Sequence, residues 1–260
     1  MTTDFWDAVA AELMKVRSLR STWAFLGGGV IATAFGAVIL FLLVRSYDAA
    51  AAADRANYET ADPTVVTMPF VMFFVGAVGA MLITSEFSTG SIGPALLAVP
   101  RRRALIGAKA AVAALFGLAC GLVFALLAFA DARLLLGDRP RPINPWPRWT
   151  DAIPTVLCAT LIVMVTCLVA MGLGAIMRST AAALTTLGAL VLVSPVFAHF
   201  LPEVWQLRFG SILLPNLTPQ LAGSHHPYVL SQGGAVVVTI GYLILTVGLG
   251  AVSFGRRDAT

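Results

Sequence analysis

The chain is predicted to fold as an all-α membrane protein. The expected parts are six transmembrane helices, an N-terminal amphipathic interfacial helix, and short re-entrant helices between spans five and six. Three observations carry that expectation. Six uncharged, mostly apolar runs fill just over half of the 260 residues: Ser21–Val44, Pro63–Ser85, Ala110–Ala130, Ala152–Met177, Ser179–Pro202 and about Gly233–Gly255. Each is long enough that, at ~1.5 Å of rise per residue, a helix crosses a ~30 Å hydrocarbon core. Only 12% of residues are charged, about half the share of a soluble domain, so charge is confined to the connections. Finally, Pro202, Pro215, Pro219 and Pro227 divide a segment that is still apolar, which suits helices too short to span.

Residues 1–21 form the first unit and 22–260 the membrane domain, with spans expected at about 22–44, 64–85, 107–130, 153–177, 180–200 and 233–255. In the first unit, Phe5, Trp6, Val9, Leu13 and Val16 gather on one helical face opposite Asp4, Asp7, Lys15 and Ser18. Such a helix is expected on the membrane surface, with Trp6 at headgroup depth and Lys15, Arg17 and Arg20 near anionic lipid. Packing on a soluble partner is compatible with that position. The acids Asp4, Asp7 and Glu12 before the first apolar run speak against a cleavable signal peptide.

The connection Arg45–Asp62 shows no chemical motif. The one after span two runs from Glu86 to Arg103; Gly90 permits a bend there, and Pro94 and Pro100 break the helix. Apolar Phe87 and Ile92 either enter a groove on another protein or fold back into lipid. Residues 131–151 carry Arg-Pro-Arg-Pro-Ile-Asn-Pro-Trp-Pro-Arg-Trp, which excludes a continuous helix and offers Trp146 and Trp149 as interface anchors. Arg178-Ser179-Thr180 is so short that spans four and five must be antiparallel neighbours. Ser194-Pro195 predicts a kink at the end of span five. Segment 201–232 is expected to dip into the outer leaflet as a cap.

Six crossings place both termini on one side. That side carries ten basic groups against five acids, and the other seven against eight acids. The run Arg101–Arg103 and the basic N-terminal segment decide for cytoplasmic termini. Cys120, Cys158 and Cys167 all fall within spans, which suits apolar core residues rather than a disulfide or zinc site. His199, His225 and His226 read as interfacial histidines.

Several chemistries are missing. No acid or base occupies the centre of a span, against the usual requirement of proton- or sodium-coupled carriers. There is no Gly-x-x-x-x-Gly-Lys-Ser/Thr loop for ATP, no Gly-x-Ser-x-Gly and no His-Glu-x-x-His. No enzymatic activity is expected from this chain, and no nucleic acid partner.

The loop after span two reads Glu86-Phe87-Ser88-Thr89-Gly90-Ser91-Ile92, then Leu96, Pro100, Arg101, Arg102, Arg103 and Lys109. It resembles the corresponding loop of the ABC-2 type permeases, the membrane subunits of ATP-driven exporters, with Ser91 standing where threonine is more usual. Glu12-Leu-Met-Lys15-Val-Arg17-Ser-Leu-Arg20 resembles their N-terminal surface helix, and Phe254-Gly-Arg256-Arg257-Asp258 their C-terminal end.

The resemblance implies a bacterial plasma-membrane exporter. It would consist of two permease chains, identical or related, and two separate ATP-binding subunits that carry ATP and magnesium. Residues 86–92 would be the coupling helix seated on the ATPase, beside Arg101–Arg103 and the surface helix. Phe70, Phe73 and Phe74 on span two, with Thr185 and Thr186 on span five, are the expected cargo path. Aromatic and hydroxyl groups without charge suit an amphipathic or hydrophobic cargo such as a drug, antibiotic, peptide or lipid. Two rivals remain: an immunity or sensing subunit that moves no cargo, and a membrane enzyme acting on lipids.

Overall fold

The computed structural model describes residues 3–58, 60–90, 102–224 and 226–256. Among these there is no strand, and six helices are long and apolar enough to cross a membrane, the character of a multi-pass membrane protein. In chain order the elements are α1 (Thr3–Ser18), α2 (Arg20–Ala49), the short α3 (Ala52–Arg55), α4 (Pro63–Thr89) and α5 (Arg102–Leu136). They continue as α6 (Ile153–Met177), α7 (Thr180–Ala198), α8 (Glu203–Ile212), α9 (Leu217–Ala222) and α10 (Gln232–Ser253). The expected spans lie within or close to these helices. α2, α4 and α5 run several residues past the apolar stretches, because backbone hydrogen bonding continues where side chains turn polar.

The helix ends follow local chemistry. Pro63 sits at the first position of α4, and the Asp62 carboxylate before it accepts from the Thr64 N–H at 2.8 Å. α4 stops at Gly90, whose φ of 70° is open to glycine without strain. α6 stops at Arg178 with φ 53°, and Ser179 then caps α7 by accepting from the Ala182 N–H. That two-residue reversal makes α6 and α7 antiparallel neighbours.

α4 and α6 form the centre of the bundle, with two thirds of their apolar windows buried against one third or so in α2 and α5. α7 and α10 lie at the rim, largely unburied. Close approach at the centre depends on small residues, as expected where no hydrophobic effect drives helices together in lipid. A Cβ on Gly174 of α6 would lie 2.9 Å from the Ala80 carbonyl oxygen of α4, and one on Gly121 of α5 2.9 Å from that of Thr160. On the other side of α6, a Cβ on Gly172 would reach 2.5 Å from the Thr246 backbone.

The kink expected at Ser194-Pro195 takes the form of a π-helical turn, Ala189–Val193, in which Ser194 Oγ donates to the Ala189 carbonyl at 2.7 Å. Proline lacks the N–H for the regular ladder, and widening the preceding turn accommodates its ring. A second π turn, Ile244–Gly248, lies in α10 where Gly172 approaches.

At the end of the bundle away from α1, a second small core gathers Leu40, Val44, Tyr47, Leu136, Ile143 and Trp146. Trp146 is therefore not an interface anchor: it is only 4% exposed and packs on Phe129, whereas Trp149 is exposed. The turn geometry of 140–146 folds the indole inward, which proline content alone does not reveal. Arg139 makes a two-pronged pair with Asp48 at 2.7 and 2.9 Å that joins this connection to α2. α8 and α9 pack beside α6 and α10 at the same end, pinned by Gln220 Nε2 donating to the carbonyls of Ser211 and Asn216.

Candidate functional site: a buried charge network at the α1 end

The face that α1 buries differs from the one its apolar pattern suggests. Val9 and Val16 are buried, but so is Glu12, while Trp6 and Leu13 stay exposed. α1 packs on α5, with smaller contacts to α2 and α4, and Phe5 rests against Gly107. A helix turns 100° per residue, so positions 5, 9, 12 and 16 share one stripe. Glu12 lies in that stripe and is carried into the interior.

What receives it is Lys109, on the second turn of α5 and wholly buried. Its ammonium donates three hydrogen bonds: to Glu12 Oε2 at 2.9 Å, to Glu86 Oε1 at 2.8 Å and to the Leu82 carbonyl at 2.9 Å. Lys15, one turn after Glu12, donates to Glu12 Oε1 and Glu86 Oε1, both at 2.8 Å. Two carboxylates and two ammoniums thus alternate within hydrogen-bond range, and the set is neutral when all four are ionised. Burial alone would lower the pKa of Lys15, but its bonds to Glu12 and Glu86 outweigh that and hold it above the ordinary lysine value. Glu86 Oε2, buried in the same place, has no partner among the described residues.

A buried ion cluster of this kind is poor evidence for stability, since desolvation offsets much of the attraction, but separating its members would leave buried charges unpaired, at a high cost. Here the members come from three chain segments. α1, the last turns of α4 and the first turns of α5 are locked to one another, and the last two are the helices that flank residues 91–101.

Glu86, which by sequence stands as one isolated charge, is the hub of this network. Nothing in the sequence pairs Glu12 with Lys109; the signal available was a charge on the apolar stripe of α1 and a lysine one residue before the uncharged run Ala110–Ala130 of α5. Phe87 folds back: it packs on the main core, and the Arg178 guanidinium lies 5.0 Å from its ring centre. Ser88, Thr89 and Gly90 are exposed beyond it. Ser91, Ile92 and Arg101 lie outside the described residues, as do the side chains of Arg102 and Arg103 and the whole of His225. Arg17 and Arg20 are exposed, with the Trp23 indole donating to the Arg17 carbonyl at 3.1 Å.

The aromatic residues of span two face different neighbours. Phe74 packs on α2, where a Cβ on Gly28 would meet its ring at 2.5 Å; Phe73 turns toward Gly188 of α7; Phe70 is partly exposed. Thr185 is exposed, and the Thr186 hydroxyl is 3.6 Å from Met177 Sδ.

Between α1, the start of α2 and the end of α4 opens a cleft of about 420 Å³, with Glu12, Lys15 and Glu86 in its wall. No group of three or more metal-ligating side chains occurs among the described residues.

A family model described as a protein of unknown function (DUF2705) matches residues 24–260, and the chain belongs to that family. The matched stretch includes Glu86 and Lys109 but not their partners on α1. No curated protein matches the chain.

Proposed function

We propose that the chain is the membrane-spanning subunit of an ATP-driven exporter of the bacterial plasma membrane. It would move a hydrophobic or amphipathic cargo outward with energy supplied by separate ATP-binding subunits. One observation carries this reading: the four-residue network ties α1, α4 and α5 into a unit around residues 86–103, the stretch that resembles the ABC-2 coupling loop. A force applied to that loop reaches three helices at once, because each end of it is anchored to the same buried ammonium and carboxylates.

In this reading both termini are cytoplasmic and α1 lies along the inner membrane surface. Ser88–Gly90 touch the ATPase, while Phe87 and Arg178 position that surface. α8 and α9 cap the opposite end within the outer leaflet. Two copies of the chain, or this chain and a relative, complete the translocation unit. The ATPase subunits, not this chain, hold ATP and magnesium.

The test is reconstitution with a candidate ATP-binding subunit expressed together with the chain. Glu86→Lys places a third positive charge against Lys15 and Lys109 and is expected to abolish cargo-stimulated ATP hydrolysis while the chain still inserts. A Glu86→Lys chain that transports normally would overturn the coupling assignment. ATP hydrolysis indifferent to every amphipathic cargo tried would overturn the exporter reading.

A further inference from the structure

Along α4, the lining of the cleft beside the network grades from polar to apolar. Its α4 wall runs from Thr89 through Glu86 and Leu82 to Val78, a rise of roughly 16 Å along the helix. At the Thr89 end the lining is charged and hydroxyl-bearing. Toward Val78 the α4 wall becomes aliphatic, through Leu82 and Met81. That gradient follows the depth profile of a bilayer leaflet from headgroup to acyl chain.

Three polar groups that line the cleft have unused hydrogen-bonding capacity. Glu86 is 6% exposed at its side chain, lines the cleft, and leaves Oε2 without a partner. An acceptor so buried is costly to leave without a donor. Lys15, half exposed, uses two of its three N–H groups on Glu12 and Glu86. The Thr22 hydroxyl, on a residue only 4% exposed, makes no hydrogen bond to the described residues. One acceptor and two donors, flanked by an aliphatic groove, describe the complement of an ammonium beside a phosphate with a hydrocarbon tail.

We propose that this cleft is a binding site for a phospholipid with a primary-amine headgroup, a phosphatidylethanolamine. Its ammonium donates to Glu86 Oε2, its phosphate accepts from Lys15 and Thr22, and an acyl chain lies along Met81 and Val78. A choline headgroup carries no N–H and leaves Oε2 unsatisfied, so the site discriminates between the two zwitterionic lipids. The proposal needs only the membrane character of the chain and holds whether or not an ATPase grips the adjacent loop.

Native mass spectrometry of the purified full chain, released from micelles containing equal 1-palmitoyl-2-oleoyl phosphatidylethanolamine and phosphatidylcholine, tests it. One ethanolamine lipid should be retained at least ~10-fold over choline lipid, a difference of about 1.4 kcal/mol. Met81→Trp fills the groove and should abolish retention. Thr22→Val, nearly isosteric, should weaken it several-fold and serves if the tryptophan variant fails to fold. Soluble phosphoethanolamine at the same concentration should not compete. Equal retention of the two lipids, retention unaffected by both variants, or full competition by phosphoethanolamine would each overturn the assignment.

Discussion

Removing the Lys109 ammonium probes the network at its centre. In Lys109→Met the side-chain volume and helix propensity are nearly preserved, so packing is not the variable. Three hydrogen bonds disappear together. Among the described residues, Glu12 Oε2 then has no partner, Glu86 Oε1 keeps Lys15 alone, and Glu86 Oε2 already has none. Two carboxylates then share one half-exposed ammonium inside the protein. Breaking a buried pair by deleting one partner costs ~3–5 kcal/mol. For a chain of this size each kcal/mol corresponds to ~2–4 °C, so the apparent Tm in detergent should fall by on the order of 10 °C. The partner substitution distinguishes the network from a general core effect. Glu12→Gln combined with Lys109→Met should be less destabilised than the two singles added together, because the same interaction is removed in both. A Lys109→Met chain that melts within about 1 °C of the parent, or singles that add strictly, would refute the claim that these charges hold α1, α4 and α5 together.

Other expectations follow from separate parts of the fold. Gly172→Ala places a methyl 2.5 Å from the Thr246 backbone and should destabilise by ~1–3 kcal/mol, seen as a lower Tm and a looser α6–α10 pair in cysteine cross-linking. Arg139→Ala removes a two-pronged but largely exposed pair with Asp48 and should leave the Tm nearly unchanged, because solvent screens such a pair. Burial pushes the Asp62 carboxyl above its ordinary value, against the lowering effect of its bonds to Thr64. Its ionisation therefore opposes folding: stability should be greatest below the ordinary aspartate range and should drop as pH rises through the folded value. Asp62→Asn keeps the cap and should flatten that part of the Tm–pH profile, whereas Asp62→Ala should cost about 1 kcal/mol.

The spans were legible because lipid admits few alternatives: an uncharged run of more than 20 residues has to be a helix, and Arg178-Ser179 between two such runs has to be a tight reversal. Termini of elements were legible where a residue has only one use, as with Pro63 and Gly90. The network was not. Glu12, Lys15, Glu86 and Lys109 are separated by as many as 97 positions, and nothing local tells a surface charge near a span from one drawn into the interior. The stripe on α1 contained the clue, since a glutamate at position 12 interrupts an apolar face that otherwise continues from Val9 to Val16. Trp146 failed for the related reason that an indole at the end of a span serves as an anchor or as a core residue, and only the fold of 140–146 decides which. Phe87 was open between a partner's groove and lipid, and the fold gives it a third setting, against the chain's own core beside Arg178.

The account stands most directly on whether an ATPase grips the end of α4. Gly90→Cys, in the αL position after α4 and exposed, should form a disulfide with a cysteine placed on the surface of the proposed ATP-binding subunit. The yield should change when ATP is added, while Gly241→Cys, placed in α10 with open space around it, should give none. A residue 90 cysteine that reacts only with reagents supplied from outside the cell, and never with the ATPase, would contradict it.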